Sequence, residues 1–217
     1  MAKIYIILPV HNRKEITRRF VDCLKRQTFQ NYHLVLVDDG SKDGTAEMVA
    51  AAIDSLTVLR GYGDWWWGGS LQKGFEWLRS QQTSSEDIVL LINDDTEFDE
   101  DYLKKGWSLI NKAKKTLLLS QAYSLHDGRL LDAGVHVDWR SFTHEQASET
   151  SGINCLSTRG LYMHVEDFFS TGGFRPSLLP HYGSDYEFTI RAKRLGMNLV
   201  TDNSLRINAD NLATGSH

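Results

Sequence analysis

Residues 33–53, HLVLVDDGSKDGTAEMVAAAI, join an apolar run, a polar turn and a segment with helical periodicity. The run His33–Val37 is typical of a strand that is buried on both faces of a sheet. Residues 38–41, DDGS, form a turn, and Asp43 is placed to cap the helix that follows it. That helix would bury the face that carries Ala46, Val49, Ala50 and Ile53. The stretch therefore predicts one strand–turn–helix unit.

The same unit repeats on both sides of this stretch. Further apolar runs of strand length lie at Lys3–Leu8, Leu56–Leu59 and Ile88–Ile92. An alternating order of strands and helices predicts an α/β fold with a doubly wound, parallel sheet. The helical segments have apolar positions at Ile16, Phe20 and Leu24, at Leu71, Gly74, Phe75 and Leu78, and at Leu103, Trp107 and Ile110.

The second half of the chain has shorter and less regular patterns. We expect strands at Thr116–Ser120 and Leu161–Met163, a hairpin at Arg129–Asp138, a mobile polar loop at Ser141–Ile153, and helices at Val165–Phe169 and Ser184–Gly196. No repeat or linker interrupts the sequence. We therefore expect one domain over residues 1–212, with functional halves at 1–98 and 99–212, and an appended tail at 213–217.

Composition argues against several classes of protein. Apolar residues make up 41% of the sequence, which is too many for a disordered chain, and the net charge of −4 argues against a duplex nucleic-acid binder. Cys23 and Cys155 belong to no Cys-x-x-Cys pair, so we expect reduced, intracellular cysteines and no cysteine-based zinc site. The N-terminal apolar run breaks at Pro9, and no run approaches the ~20 residues of a spanning helix. We therefore expect no signal peptide and no membrane span.

Polar residues follow three of the predicted strands, at Pro9–Asn12, Asp38–Asp39 and Asn93–Asp95. The carboxyl ends of parallel strands meet at one edge of the sheet, where doubly wound folds bind ligands. Asp94 and Asp95 would repel each other at the end of a buried strand, and a divalent cation such as Mg²⁺ or Mn²⁺ would relieve that repulsion. A capped turn explains the same residues equally well.

Two further segments carry residues suited to a binding site. Residues 61–70, GYGDWWWGGS, form a predicted loop whose three consecutive tryptophans cannot all face the core. At least one of them, assigned here to Trp67, is expected to line a pocket or stack on a base or sugar; a packed loop over the sheet edge is the alternative. Asp185 and Glu187 begin the last predicted helix, where a carboxylate serves either as a general base or as a helix cap.

Several of these motifs, in this order, resemble those of the family 2 glycosyltransferases. They are IILPVHN (6–12), QTFQN (27–31), VLVDDGSKDGT (35–45), LINDDT (91–96), TGGF (171–174) and SDYEFTIR (184–191). The resemblance covers nearly the whole chain and implies a GT-A fold. Such a fold has a mostly parallel sheet flanked by helices, together with a smaller antiparallel and irregular acceptor-side half.

The resemblance also implies a role for each matching position. Nucleobase, ribose and donor sugar would be held by Pro9, Val10, His11, Asn12, Asp38, Asp39, Gly69, Lys73, Asn93 and Asp94, and Trp67 joins this set because of its place in the tryptophan run. Asp95 would bind Mn²⁺ or Mg²⁺, Asp185 would be the catalytic base, and the acceptor side would include Gly172, Gly173 and Glu187. His181 is assigned to the acceptor side because it precedes the Asp185 helix in the sequence. The chain departs from the family pattern at Asn93, which is neutral, and at Ser184, which replaces an acid.

The activity that the resemblance implies is transfer of a hexosyl or deoxyhexosyl group from a nucleotide-diphosphate-sugar to an acceptor hydroxyl, with inversion. The acceptor would be a glycan, a lipid-linked molecule or a protein, in the synthesis of cell-surface polysaccharide or glycoconjugate. We expect a cytoplasmic location, at the inner face of the membrane for a lipid-linked acceptor, and no nucleic-acid partner. The alternatives are a nucleotidyltransferase, which the absence of glycine from residues 9–13 disfavours, and a non-catalytic module that binds nucleotide or glycan.

Overall fold

Strand β1 (Ile4–Val10) is buried along its whole length in the interior of a nine-stranded sheet. The computed structural model describes residues 2–138, 140–141, 143–147 and 152–212. The helices are α1 (Lys14–Lys25), α2 (Thr45–Ala50), α3 (Trp66–Arg79), α4 (Tyr102–Ile110), α5 (Val165–Thr171) and α6 (Ser184–Arg194). The other strands are β2 (Tyr32–Asp38), β3 (Leu56–Arg60), β4 (Ile88–Leu91), β5 (Thr96–Glu97), β6 (Thr116–Ser124), β7 (Leu130–Asp132), β8 (Val135–Asp138), β9 (Thr143–Gln146), β10 (Leu161–His164) and β11 (Asn198–Ala209).

The first four strands pair in parallel in the order β3-β2-β1-β4. Helices cover both faces of the sheet, which explains why β1 and β4 are apolar at nearly every position rather than at every second one. The predicted α/β fold with a doubly wound sheet is therefore confirmed. One face packs against Phe20 of α1, Val49 of α2 and Leu103 of α4, and the other against Phe75 of α3, Phe168 of α5 and Phe188 of α6.

The second half of the chain adds both parallel and antiparallel strands to the sheet. Strand β10 is antiparallel to its neighbours β4 and β6, while β11 is parallel to β6 and antiparallel to β5. Strands β8 and β9 form a separate antiparallel pair. The predicted smaller antiparallel half is thus confirmed as architecture.

Three local predictions about loops and hairpins are wrong. Segment Arg129–Asp138 contains two strands, but β7 pairs with β6 and β8 pairs with β9, so no hairpin forms within it. The loop predicted at 61–70 ends at Trp65, because α3 begins at Trp66. The loop predicted at 141–153 contains β9; its residues 142 and 148–151, like the tail predicted at 213–217, lie outside the described residues.

In the described ranges the longest helix is α3, with 14 residues, and no helix there combines the length and apolar character that crossing a bilayer requires. Cys23 and Cys155 are both buried, and both are free thiols.

Candidate active site

A cleft of about 610 Å³ opens where β1 and β4 end, at the edge of the sheet that the parallel topology indicates. Segments that are far apart in sequence meet there, including the turn after β1, the turn after β4 and the start of α6. The lining residues are Pro9, Val10, His11, Asn12, Arg13, Asp39, Gly63, Trp66, Trp67, Ser70, Asn93, Asp94, Asp95, His181, Tyr182, Gly183 and Asp185. Most of the residues proposed from the sequence are therefore brought together in one cavity.

A chain of hydrogen bonds fixes His11 at one wall of the cleft. The amide of Lys42 donates to Oδ1 of Asn12 at 2.7 Å, so the Asn12 amide nitrogen is the end that faces Nε2 of His11, at 2.9 Å. Since Nε2 then accepts, the proton of the imidazole lies on Nδ1, which donates to the carbonyl of Asp39 at 2.5 Å. The ring is held in one tautomer and one orientation beside β1.

The carboxylate of Asp39 organises the loop that precedes α3. Its Oδ1 accepts from the amide of Gly63 at 2.9 Å, and its Oδ2 accepts from the amides of Trp65 and Trp66 at 2.9 and 3.0 Å. Gly61 is required nearby, because a Cβ at this position would lie 2.5 Å from Oδ1 of Asp39. Asp39 lines the cleft as predicted, and it also shapes the cleft wall.

Arg13 links the two aspartates that follow β4. Its Nε lies 3.0 and 3.1 Å from the two oxygens of Asp94, and a terminal guanidinium nitrogen lies 3.5 Å from Oδ2 of Asp95. The hydroxyl of Thr17 donates to Oδ2 of Asp94 at 2.8 Å. Burial raises the pKa of Asp94 to about 6 and nearby Asp95 also raises it, while Arg13 and Thr17 act in the opposite direction.

The donor set at Asp95 suits a hard divalent cation. Asp95 lines the cleft with a carboxylate, and its backbone carbonyl accepts from the amide of Asp210 at 2.8 Å, which fixes the turn. Mg²⁺ and Mn²⁺ take oxygen ligands, and Mg²⁺ is usually held by one or two carboxylates together with substrate phosphates. Within the described residues no three acidic, histidine or cysteine side chains converge on one metal position. A cation here would complete its coordination with ligand phosphates and water.

Aromatic side chains from the start of α3 and from the segment before α6 form another wall of the cleft. Trp66 has a positive φ of 55°, is 55% exposed, and its ring lies 5.7 Å from that of His181 in an edge-on arrangement. Trp67, the tryptophan predicted to line a pocket, does so, with its indole nitrogen 3.3 Å from the hydroxyl of Thr158. Gly68 donates its amide to the carbonyl of Pro180 at 2.8 Å, which holds this wall to the segment before α6.

Asp185 lines the cleft from the first turn of α6. Burial raises the pKa of its carboxyl, and the neighbouring carboxylate of Asp132 raises it further, while the amide of Tyr186 and the charge of Arg159 oppose the shift. The Tyr186 amide donates to Oδ1 at 2.9 Å. A carboxylate with a raised pKa that faces a cleft is suited to accept a proton from a substrate.

Several residues proposed from the sequence lie outside the cleft lining. Glu187 pairs with Arg191 at 2.8 Å, and the same guanidinium donates to the carbonyls of Thr171 and Gly173. This contact ties the Gly172–Gly173 turn to α6, so the three acceptor-side candidates Gly172, Gly173 and Glu187 make structural contacts. On the donor side Asp38 accepts from the amide of Ser41, Lys73 pairs with Glu76, and the amide of Gly69 donates to the carbonyl of Trp65 at 3.0 Å.

The structure adds cleft residues that the sequence did not single out, namely Arg13, Gly63, Trp66, Ser70, Tyr182 and Gly183. Arg13 directly follows the first motif, and a buried acidic pair that requires a cation was a signal that could have identified it. Trp66 belongs to the tryptophan run from which only Trp67 was assigned to the pocket, so the run itself was its signal, whereas nothing in the local sequence separates the exposed Tyr182 from an ordinary surface residue.

Comparison with known proteins gives a consistent family match. The model described as Glycosyl transferase family 2 matches residues 5–166. The chain is 23% identical over 214 residues to the amylovoran biosynthesis glycosyltransferase AmsB of Erwinia amylovora, covering 90% of this chain and 65% of that protein. It is 26% identical over 204 residues to the glycosyltransferase AglE of Haloferax volcanii, covering 90% of this chain and 62% of that protein. The chain thus spans less than two thirds of the length of these relatives.

A solved structure shows the same fold. The mannosyltransferase PcManGT from Pyrobaculum calidifontis, in complex with GDP-Man and Mn²⁺, aligns with a TM-score of 0.69 at 16% identity. The alignment covers 98% of this chain and 58% of that one. At this identity the likeness establishes the architecture and leaves the residues of the cleft to be interpreted from their own geometry.

Proposed function

Because this chain belongs to glycosyl transferase family 2, we propose that it transfers a sugar from a nucleotide-diphosphate-sugar donor to an acceptor hydroxyl. The observation that carries the proposal is the joint presence of Asp95 and Asp185 in one cleft. Asp95 lies in the turn after β4 and Asp185 in the first turn of α6, so this pair takes one carboxylate from each predicted half of the chain. This agrees with a donor half at residues 1–98 and a catalytic half at 99–212.

The charge of the cleft supports a requirement for a divalent cation. Its lining includes the four carboxylates of Asp39, Asp94, Asp95 and Asp185, and Arg13 is its one Arg or Lys side chain in the described ranges. A nucleotide-diphosphate-sugar is itself an anion, so bringing it into this cleft would be unfavourable by Coulomb's law. Mn²⁺ or Mg²⁺ held by Asp95 would neutralise the diphosphate when bound and act on it as a Lewis acid.

The residues around the cation have complementary roles in this proposal. His11, held in one tautomer with Nε2 turned to Asn12, and the Pro9–Val10 backbone would form the nucleoside wall. The Asp39 carboxylate holds the loop that carries Trp66 and Trp67 in place beside it. Together they would position the anomeric carbon for attack. Such positioning of two reactants accounts for a large part of the rate enhancement in bimolecular enzyme reactions.

The proposed reaction uses Asp185 as the general base. Its carboxylate accepts the proton of the acceptor hydroxyl while that oxygen forms a bond to the anomeric carbon. The bond from this carbon to the diphosphate oxygen breaks, and the nucleoside diphosphate leaves with the electron pair. A single base and an in-line displacement give inversion at the anomeric carbon. Deprotonation by a positioned carboxylate typically contributes ~10²–10⁴-fold in rate.

A polysaccharide or other glycoconjugate is the proposed acceptor class. The name of the Erwinia amylovora relative refers to amylovoran biosynthesis, and that of the other relative simply to a glycosyltransferase. For a lipid-linked acceptor the enzyme would work at the inner face of the membrane.

Ligand binding and turnover test the proposal separately. The protein would be screened by thermal unfolding with UDP, GDP, ADP, CDP and dTDP, each with Mn²⁺, Mg²⁺ or EDTA, since a ligand that binds the folded state raises its stability. We expect one nucleotide to stabilise the protein in a metal-dependent way, and the matching nucleotide-sugars to release nucleoside diphosphate. Stabilisation without turnover of any matching donor would favour the non-catalytic module, and no stabilisation by any nucleotide would refute the donor site.

A further inference from the structure

The guanidinium of Arg13 occupies the space between the two carboxylates that follow β4. It contacts both oxygens of Asp94 and lies 3.5 Å from Oδ2 of Asp95, and all three side chains are at most 10% exposed. A positive charge supplied by the protein therefore lies beside the carboxylate that would hold a metal. The two aspartates are neutralised in part by the protein itself.

We propose that Arg13 is a resident counter-cation that makes metal binding at Asp95 depend on the diphosphate of the donor. The inference rests on the proposed function, because it concerns the same donor site. It assigns a task to a residue outside the family motifs identified in the sequence. Its consequence is that the metal binds tightly only together with a nucleoside diphosphate.

Two features of Asp94 limit what it can offer a metal alone. Its Oδ1 accepts from Arg13, and its Oδ2 accepts from both Arg13 and the hydroxyl of Thr17. A cation that entered without a nucleotide would meet Asp94 with both oxygens engaged and the Asp95 carboxylate beside a fixed positive charge. Like charges a few ångströms apart in a partly buried site repel each other strongly.

The diphosphate of a donor reverses this balance. Its negative charge offsets both the guanidinium and the metal, and its oxygens supply ligands that the protein does not. Each ligand then binds more tightly when the other is present, and the coupling must be equal in both directions. Such coupling would keep the site from holding Mn²⁺ or Mg²⁺ in an unproductive complex.

Arg13 is well fixed for this task. Its carbonyl accepts from the amide of Thr17 at 2.8 Å, the first hydrogen bond of α1, which holds the backbone of Arg13, and the two aspartates hold its side chain. A guanidinium keeps its charge at all physiological pH values and presents several donors in one plane, which allows it to contact two carboxylates at once. A shorter or neutral side chain would lose one contact or the charge.

The test measures Mn²⁺ binding in the absence of nucleotide and again with UDP or GDP present, by calorimetry or by the electron paramagnetic resonance signal of free Mn²⁺. The wild type is expected to bind Mn²⁺ alone weakly and to bind it much more tightly with the nucleotide. Arg13→Gln removes the charge but keeps an amide that can donate to Asp94. We expect this variant to bind Mn²⁺ alone roughly tenfold more tightly or better, and its coupling to the nucleotide to shrink.

Two matched variants separate charge from local structure. Arg13→Lys keeps the positive charge, and Thr17→Val removes the other donor to Asp94 but leaves Arg13 in place. Both are expected to bind Mn²⁺ alone as weakly as the wild type. If Thr17→Val tightened Mn²⁺ binding as much as Arg13→Gln did, release of Asp94 and not loss of charge would be the cause, and the proposal would be wrong.

A double-mutant cycle covers the case in which Arg13→Gln fails to fold. In the Asp94→Asn background the loss of Arg13 leaves one buried carboxylate without this cation, that of Asp95, in place of two, and Arg13→Gln is again expected to tighten Mn²⁺ binding in the absence of nucleotide. Unchanged or weaker binding in folded Arg13→Gln, or in the double variant relative to Asp94→Asn, overturns the inference if the wild type still binds UDP or GDP with Mn²⁺. A wild type that binds no nucleotide under any metal condition overturns the proposed function instead.

Discussion

The carboxylate of Asp39 accepts a hydrogen bond from the amide of Trp66, 27 residues later in the chain, at a distance of 3.0 Å. The same carboxylate also holds the amides of Gly63 and Trp65. Asp39 is only 6% exposed, so its buried carboxylate relies on these amides for hydrogen bonds. The turn after β2 and the start of α3 therefore depend on one side chain.

Replacement of Asp39 by Ala is expected to destabilise the protein by about 3 kcal/mol, because three amides lose a charged acceptor. The change is measured by urea unfolding monitored through tryptophan fluorescence. Asp64→Ala is the matched control, since Asp64 is exposed in the same loop and is expected to have little effect. Equal stability of the two variants would show that the contacts of Asp39 do not hold the loop.

Asp185→Asn is expected to lower the rate of sugar transfer by roughly 10²–10⁴-fold, because the amide cannot accept the proton of the acceptor hydroxyl. Donor binding in the thermal unfolding assay should remain. Glu187→Gln is the control, since Glu187 lies two residues further on the same helix and pairs with Arg191 outside the cleft lining. Comparable losses in both variants would assign the effect to disruption of α6 and not to a base.

The pH dependence of transfer should reflect the raised pKa of Asp185, which arises first from burial and then from Asp132. The base must be ionised, so kcat/KM should fall as pH falls through the folded-state pKa, at a higher pH than for an ordinary aspartate.

The raised pKa of Asp185 affects the free energy of unfolding in the opposite direction, since it stabilises the folded protein at low pH. The folded protein binds this proton more tightly than the unfolded chain, so the contribution is fully present below the unfolded pKa and lost as pH rises through the folded one. Asp185→Asn should therefore unfold at higher urea than the wild type at neutral pH, and a less stable variant would contradict the shift.

The parallel half of the sheet could be predicted because its cause is local. Burial on both faces requires apolar residues at nearly every position of β1, β2 and β4, and such runs are visible in the sequence. The turn residues that follow these strands were predicted to meet for the same topological reason. The Arg129–Asp138 segment shows the limit: its two strands were visible, but alternation gives the period of a strand and says nothing of its partner, and both strands pair outside the segment.

The remaining features of the cleft depend on contacts between distant residues. Arg13 directly follows the first family motif, but its role comes from Asp94, 81 residues further on. Trp66 begins α3 with a positive φ, a conformation that local helix propensity disfavours. Its amide is held there by the carboxylate of Asp39, which is distant in the sequence. Conversely, Gly172, Gly173 and Glu187 matched a family motif, yet Arg191 uses two of these residues for contacts that hold α6 to its neighbour.

Gly68 and Gly69 should respond differently to the same substitution. A Cβ on Gly68 would lie 2.6 Å from the carbonyl oxygen of Leu179 and 3.1 Å from that of Pro180, so the backbone would have to move. Gly68→Ala is expected to cost about 1–3 kcal/mol of stability and to reduce donor binding, because the His181 segment would shift. A Cβ on Gly69 meets only side-chain carbons, at 3.2 Å and beyond, and alanine favours the helix, so Gly69→Ala should change stability by less than about 1 kcal/mol. Urea unfolding of both variants measures the two changes in stability. A loss of stability in Gly68→Ala as small as that in Gly69→Ala would show that α3 does not approach Pro180 closely.

Trp66→Gly separates the function of the cleft from the stability of the fold. Trp66 has a φ of 55°, which favours glycine, and its ring is more than half exposed beside His181. Relief of backbone strain and loss of the ring contact act in opposite directions, so the free energy of unfolding should change by less than about 1 kcal/mol. Loss of an aromatic wall should nevertheless weaken binding of substrate by about tenfold, as measured by KM or by calorimetry. Tyr62→Ala is the matched control, because Tyr62 is 95% exposed nearby and does not line the cleft. Unchanged binding in Trp66→Gly would mean that the indole stands at the opening of the cleft without contacting the ligand, and the strain at Trp66 would then have to serve the loop alone.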